Sequence, residues 1–420
     1  MLLGCIADDL TGATDLAIML TRGGMRTLQV MAVPDGKTKL KGYDAIVVAL
    51  KTRTCPVKEA IDLSIRSADA LLKLGAKQIY FKYCSTFDST DQGNIGPVAE
   101  ALLAHLKADI AIACPAFPTN KRTVYLGNLF VGDVPLAESP MKDHPLTPMR
   151  DSNLVRVLQR QSNGKVGLIP FHVVEQGGFA VKQALDAARA AGQRLVIVDA
   201  VSDQHLMAMG EAVANAKLVT GGSGAALGLP ANFVRYGHLK AAIAPPSMTA
   251  PAGRALIVAG SCSEATRGQV RAAKEAGIPA FEIDPLAIDS GKLKATDLVD
   301  WAKKQPASGP VLVYSSADPA AVAAVQQKLG RDAAGSLVEQ TLATATKQLV
   351  AAGFSRLIVA GGETSGAVVN GLGVDALEIG PEIDPGVPWT RALNQNLVLA
   401  LKSGNFGAPD FFTKAWKLLS

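Results

Sequence analysis

Leu2–Arg22 reads LLGCIADDLTGATDLAIMLTR, an apolar run, two acids, a turn with glycine, and an apolar-periodic stretch. Leu2–Ala7 is short and continuously apolar, as a strand buried on both faces should be. Ala13–Arg22 places its apolar residues at helical spacing. One strand feeding one helix through a polar turn is the opening of a βαβ unit. The same rhythm continues outward. Strands are predicted at Thr27–Val33, Ala45–Leu50, Gln78–Tyr83, Ile110–Cys114 and Arg194–Asp199. Helices are predicted at Val57–Leu74, Ile95–Leu106, Phe179–Ala191 and His205–Ala214. Alternating elements of these lengths imply parallel strands joined by crossover helices.

Ala241–Gly253 (AAIAPPSMTAPAG) breaks the rhythm and reads as a linker. The alternation then restarts with strand Ala255–Ala259, helix Glu264–Ala276, strand Val311–Tyr314, helix Ala317–Lys328, a long helix around Ser336–Ala352 and strand Arg356–Ala360. The expected organisation is therefore α/β in two domains, residues 1–240 and 254–420 around a linker at 241–253. Each domain would be a largely parallel sheet flanked by helices, with the active site in the cleft between them.

Composition narrows the function classes. The chain has 420 residues, 42 Lys and Arg against 37 Asp and Glu, and a formal charge of +5. The excess is modest and the basic residues are not clustered with aromatics, so neither nucleic acid nor membrane is an expected partner. No apolar run reaches the roughly 18 residues of a membrane span. The cysteines (Cys5, Cys55, Cys84, Cys114, Cys262) are odd in number and lack CxxC spacing, which argues against a disulfide scaffold or zinc site and for a reducing cytoplasm. Acids at residues 8 and 9 come too early for a signal-peptide core.

In open α/β sheets ligands bind where strands end and helices begin. After the first strand come Asp8, Asp9, Thr11 and Gly12, two acids beside a helix N-terminus able to hold an anion. Lys51-Thr52-Arg53-Thr54 follows the strand ending at Leu50, and Cys84-Ser85-Thr86-Phe87-Asp88-Ser89-Thr90 follows the strand that carries Lys82. A guanidinium, an ammonium and hydroxyls at strand ends suit a polyhydroxylated carboxylate. His144 lies in a proline-constrained loop, and the five histidines show no metal-ligand spacing. In the second half, Gly260-Ser261-Cys262-Ser263 and Gly361-Gly362-Glu363-Thr364-Ser365-Gly366 each follow a strand, and Lys402-Ser403-Gly404-Asn405-Phe406-Gly407 comes near the end. Small residues and free amides in such turns can cradle phosphates.

Two familiar motifs fail. Gly36-Lys37-Thr38 has the ending of a phosphate loop, but Met31 occupies its first glycine position. Gly222-Ser223-Gly224 with Gly228 has a dinucleotide-like turn, but Val234–Lys240 lacks the ribose-gripping acid.

Taken in order, ADDLTGATD, KTRT, KYCSTFDST, GGSGAALGLP, AGSCSEATRGQV, GGETSG and LKSGNFG resemble the four-carbon acid sugar kinase family from residue 3 to about residue 412. MKDHPLTPMRDSNLVRVLQRQ is similar to the branch acting on 3-oxo-tetronate, as opposed to threonate or erythronate. The resemblance implies a sugar-acid domain followed by a nucleotide domain, and ATP-dependent phosphorylation of the C4 hydroxyl. It implies contacts to ATP from Ser261, Gly361, Gly362, Glu363, Thr364 and Gly404. On the substrate side it implies Asp9 as the catalytic residue, with Asp8, Arg53, Lys82 and Ser85. Mg²⁺ is expected with ATP, though its ligands and the oligomeric state stay open. A sugar-acid-binding protein or an NAD(P)-dependent dehydrogenase are the competing classes. The first has no use for three Gly/Ser loops in the second half.

Overall fold

The computed structural model describes residues 1–36, 40–144, 147–241, 247–315, 324–325 and 327–420. It divides into two compact units, Met1–Ala244 and Pro245–Ser420. Lys37 and Thr38, Pro145 and Leu146, residues 242–246 of the expected linker, and most of the helix expected at Ala317–Lys328 lie outside the described residues.

The N-terminal unit contains β1 (Leu3–Ala7), β2 (Thr27–Val30), β3 (Ala45–Ala49), β4 (Gln78–Lys82) and β5 (Ala111–Cys114). A small meander, β6 (Arg122–Tyr125), β7 (Asn128–Val131) and β8 (Val134–Pro135), interrupts it before β9 (Lys165–Ile169), β10 (Gln193–Val198) and β11 (Leu218–Gly221). The main sheet runs β2-β3-β1-β4-β11-β5-β10-β9, with every pair parallel. β1 to β5 are wholly buried, as their unbroken apolar runs require. The chain leaves β1 toward β2 and β3 on one side and returns as β4 on the other. The strand order therefore reverses at β1, and the carboxyl ends of β1, β3 and β4 frame the crevice that such a reversal creates.

The C-terminal unit contains β12 (Arg254–Ala259), β13 (Ala280–Glu282), β14 (Pro310–Tyr314), β15 (Phe354–Ala360), β16 (Ala376–Asp384), β17 (Val387–Ala392) and β18 (Val398–Lys402). Its sheet runs β13-β14-β12-β15-β18-β17-β16. The pairs from β13 to β18 are parallel, and β17 pairs antiparallel with both β18 and β16. Here too the order reverses, between β12 and β15, so their two glycine loops emerge side by side.

The core beneath these strands gathers Ile257, Ile358, Trp389, Phe411 and Phe412. The fully buried Trp389 donates from Nε1 to the Ala415 carbonyl at 2.9 Å, as a buried indole must. Met248 belongs to this core, and the Ala250 N–H donates to the Ser420 carbonyl at 2.8 Å. The segment read as linker is thus, from Met248 onward, packed against the C-terminal unit. Its Pro-rich irregular backbone hid an apolar anchor.

Candidate active site

Asp9 ends the turn after β1 with extended backbone (φ −149°, ψ 162°) and caps helix Leu10–Arg22, its Oδ1 accepting from the Gly12 N–H at 3.0 Å. The helix starts three residues earlier than its periodicity suggested, because the cap and not the first apolar residue sets the boundary. Asp9 also meets Arg53, whose Nη2 lies 3.0 Å from the same Oδ1. No bond to Asp9 Oδ2 occurs among the described residues.

Arg53 is the hub of this cluster. Its Nε and Nη2 donate to Asp8 Oδ2 and Oδ1 at 2.8 and 3.1 Å, a bidentate pair with a buried carboxylate. Burial raises the Asp8 carboxyl above its ordinary value, against the opposing pull of Arg53. Nη1 faces Asp88 Oδ2 at 3.6 Å, beyond a hydrogen bond. The fork is therefore already committed to protein carboxylates, and only the Nη1 corner is loosely held. The turn carrying Arg53 is fixed from outside by Asn94, whose Nδ2 donates to the Thr52 and Cys55 carbonyls at 2.7 and 2.9 Å.

Asp88 reaches Arg53 through an unusual loop. The fully buried Phe87 has φ of 53°, a left-handed conformation that costs a bulky residue about 1–3 kcal/mol. Phe87 stacks edge-on against Tyr83 at 5.4 Å, and Tyr83 Oη is 3.0 Å from Thr220 Oγ1. Thr86 Oγ1 donates to Asp88 Oδ1 at 2.5 Å and approaches Cys84 Sγ at 3.0 Å. Ser85 is half-buried at the loop entrance with no hydrogen bond among the described residues.

Lys82 ends β4 and is nearly fully buried, its carbonyl accepting from the Asp8 N–H at 3.1 Å, while its ammonium makes no hydrogen bond or ion pair within 4.0 Å among the described residues. Its Nζ comes so close to Gly12 that a Cβ there would collide with both Lys82 Nζ and Asp9 Oδ1. Gly12 is a helical residue made necessary by close approach. Asp15, one turn further along the helix, also faces this group. Burial raises its carboxyl, while Lys82 and the Ser223 hydroxyl pull it down. Ser223 is fully buried and its Oγ has no aligned partner. Asp8, Asp9, Arg53 and Lys82 are thus brought together, with Ser85 at the loop entrance. Asp15, Asp88 and Ser223 join them unassigned by the sequence reading, although each lies in a stretch quoted for the resemblance.

The glycines of Gly222-Ser223-Gly224 have a different purpose. A Cβ at Gly222 would lie 2.7 Å from the Pro115 carbonyl oxygen, and one at Gly224 3.0 Å from Phe117 Cα. They permit backbone-on-backbone packing of two loops. His144 Nδ1 accepts from the Thr147 N–H at 3.1 Å and closes its own loop.

In the C-terminal unit a cavity of about 530 Å³, within the range of small-molecule sites, is lined by Ser261, Cys262, Ser315, Gly361, Glu363 and Thr364 among others. Two helices begin just after its glycine loops. Helix Glu264–Glu275 is capped by Ser263, and helix Gly362–Leu372 has Gly361 at its cap with no side-chain bond. The second helix therefore keeps backbone N–H groups available to an anion. Gly361 has φ of 130°, accessible only to glycine, and a Cβ there would lie 2.9 Å from Thr364 Oγ1 and 3.2 Å from Ser261 N. At Gly362 a Cβ would meet nothing within 4 Å.

The third loop closes the group. A Cβ at Gly404 would strike Ser261 Oγ, and the Gly404 carbonyl accepts from Ser263 Oγ at 2.7 Å and Thr266 Oγ1 at 2.8 Å. The Gly361 N–H donates to the Lys402 carbonyl at 2.9 Å. Ser261, Gly361, Thr364 and Gly404 are thereby adjacent, with Gly362 and Glu363 exposed beside them. The buried Lys402 beneath them was quoted as the start of the third loop but given no role by the sequence reading. Its signal is a lone charge ending the apolar run Val398–Leu401.

Among the described residues no three His, Cys, Asp or Glu side chains form a metal site, all five cysteines are free, and no helix is long and apolar enough to cross a membrane.

Residues 3–229 match a family described as a sugar-binding N-terminal domain, and residues 256–412 one described as a nucleotide-binding C-terminal domain. The chain is 55% identical to a 3-oxo-tetronate kinase of Cupriavidus necator and 54% identical to one of Burkholderia multivorans, over 100% of this chain and 97% of each relative. A crystal structure from Salmonella typhimurium LT2, described there as a tRNA synthase, superposes with a TM-score of 0.93 at 42% identity, covering 100% of this chain and 99% of that one. With both domain families matched in order and full-length identity above half, this chain belongs to the four-carbon acid sugar kinase family.

Proposed function

We propose that the chain transfers the γ-phosphoryl group of ATP to the C4 hydroxyl of 3-oxo-tetronate, giving the 4-phosphate and ADP. The observation that carries this reading is the meeting of Asp8, Asp9, Arg53 and Lys82 where β1, β3 and β4 end, in a chain sharing 55% of its residues with a 3-oxo-tetronate kinase. A cation and free carboxylate oxygens side by side suit a ligand that is acid at one end and alcohol at the other. Lys82, beside a helix N-terminus, takes the substrate carboxylate together with the loosely held Nη1 of Arg53. Asp9 Oδ2 is the acceptor for the C4 hydroxyl proton, its other oxygen being fixed by Gly12 and Arg53. Asp8 keeps Arg53 aimed, and Ser85 is available to a substrate hydroxyl.

ATP binds in the C-terminal unit, its phosphates against the amides and hydroxyls of Ser261, Gly361–Thr364 and Gly404. Phosphoryl transfer asks the protein chiefly for positioning and charge neutralisation. Mg²⁺ normally arrives held by phosphates and needs only one or two carboxylates. Glu363 and Glu339 fit that requirement. Both line the cavity, and Glu339 is raised first by burial and then by the facing charge of Glu363. When bound, the ion neutralises charge on the phosphates.

The tRNA description carried by the Salmonella protein finds no echo in this chain's charge, +5 without basic clusters. ADP release should be followed with 3-oxo-tetronate, D-threonate, D-erythronate and L-threonate. The highest kcat/KM is expected with 3-oxo-tetronate. Preference for a threonate or erythronate would move the chain to another branch of the family, and ADP release with none of the four would reject the reading.

A further inference from the structure

Lys402 is only 1% exposed, at the end of β18. Its Nζ donates to Thr266 Oγ1 at 3.0 Å and to the Ser403 and Gly404 carbonyls at 3.1 and 3.2 Å. All three acceptors are neutral. The charged groups on the elements packed around it are Glu264, Arg267, Arg271, Lys274 and Glu275 on the helix after Ser263, Arg356 on β15, Arg391 on β17 and Glu363 on the helix after β15; further off, Asp384 is paired with Lys414 at 2.6 Å. None bonds the ammonium among the described residues. A buried ammonium ordinarily has a carboxylate beside it. This one instead has only neutral dipoles bonded to it, and the Gly404 turn it holds abuts Ser261, which with Gly361 and Thr364 lines the cavity.

We propose that Lys402 is a positioning residue for the nucleotide: its ammonium holds the Gly404 turn against Ser261 and is the buried counter-charge of the bound phosphates, so nucleotide binding and Lys402 protonation are coupled. This rests on the nucleotide placement proposed above. The Gly404 carbonyl gathers three donors, from Ser263, Thr266 and Lys402, and the Lys402 carbonyl accepts from the Gly361 N–H. One residue, by its side chain and its main-chain carbonyl, thereby links the Gly404 turn to the helix after Ser263 and to Gly361. All three ammonium hydrogens are used in doing so, so Lys402 acts on the phosphates by charge and through the turn, not by contact. A neutral amine has only two hydrogens and must release one acceptor.

Burial lowers the lysine to about 8. Polyanionic phosphates a short distance away favour the charged form, so the bound protein holds the proton to higher pH than the free one. By linkage, nucleotide affinity is unaffected well below pH 8 and falls as pH rises through that value.

The test is titration of the full chain with MgADP by calorimetry, in buffers of differing ionisation heat, at pH 7.0, 8.5 and 9.0. The expected result is little proton uptake at pH 7.0 and a substantial fraction of one proton at pH 8.5. Affinity should be up to about tenfold weaker at pH 9.0 than at 7.0. A folded Lys402→Met chain, checked by a thermal melt, should bind MgADP more weakly at pH 7.0 and lose both the uptake and the pH dependence. Lys402→Arg, whose charge does not titrate, should recover affinity without the uptake. Wild-type binding with equal uptake at pH 7.0 and 8.5 overturns the proposal, whatever the variants do. A wild-type chain that does not bind MgADP at all contradicts the nucleotide placement itself.

Discussion

Arg53 and Gly12 show how little of a site is visible in residue type. The sequence offers Arg53 as a guanidinium for a substrate carboxylate, and in the structure its fork bonds Asp8 and Asp9. A lysine cannot reproduce the three contacts, and it would leave Asp8 buried with a poorer partner. Arg53→Lys should therefore lower kcat/KM for the sugar acid about ten- to a hundredfold, reflecting about 1.5–3 kcal/mol of lost charge-assisted bonding, and also lower the melting temperature. MgADP affinity should not change. An unchanged melt and unchanged kinetics would mean that the carboxylate cluster around Arg53 matters to neither. Gly12 makes the opposite case. Alanine in a helix is worth up to about 1 kcal/mol over glycine, so Gly12→Ala should fold well. Its Cβ would nonetheless displace Lys82 Nζ and Asp9 Oδ1, both ends of flexible or adjustable groups. The expected outcome is a near-normal melt with activity reduced at least about a hundredfold, the scale on which misplaced reacting groups lose rate. Normal steady-state kinetics in that variant would remove Lys82 and Asp9 from the reaction.

Most of the N-terminal elements were legible because apolar run length and helical spacing are local properties, although no strand was predicted at β9 and no helix at Leu154–Gln161. β3 begins at Ala45 and ends one residue short of expectation, and helix Val57–Lys73 likewise. What was not legible depends on partners distant in sequence. The β6–β8 meander has partly exposed strands of two to four residues, too short to show a period. The antiparallel β16 and β17 lie beyond the last predicted strand. Their turn, Pro385-Gly386, carries hairpin chemistry, but β16 holds Pro381 in its interior, which argues against a strand when read alone. The candidate site divides along the same line. Strand ends located Asp8, Asp9, Arg53, Lys82 and the glycine loops. Asp88 required the left-handed Phe87, and Lys402 required knowing that a strand end is buried beneath other loops. Gly362 is instructive at this scale. The left-handed backbone belongs to Gly361, whereas Gly362 is the first helical residue, open to solvent. Gly362→Val should therefore leave stability almost untouched while raising the KM for ATP at least about tenfold, since only a phosphate would meet the new side chain. A folded variant with wild-type KM would place the phosphates elsewhere than on this helix N-terminus.

Across the whole chain, the two units solve the same problem with the same device. Each reverses its strand order, at β1 and at β12, and collects its reactive groups at the carboxyl ends of the strands around that reversal. In the N-terminal unit those ends carry carboxylates and two cations; in the C-terminal unit they carry glycines, hydroxyls and two helix N-termini. The first set suits an acid sugar and the second a nucleoside triphosphate, in keeping with the two domain families matched at 3–229 and 256–412. Identity with the 3-oxo-tetronate kinases extends over the entire chain, so the same pairing of ligands is expected here. The most direct measurement is phosphorus NMR of a reaction of the full chain with 3-oxo-tetronate and MgATP. A single new phosphomonoester signal, coupled to the two C4 methylene protons and growing in step with ADP, is the expected result. Release of inorganic phosphate alone, or a phosphoryl group coupled to the C2 methine, would contradict the proposed reaction.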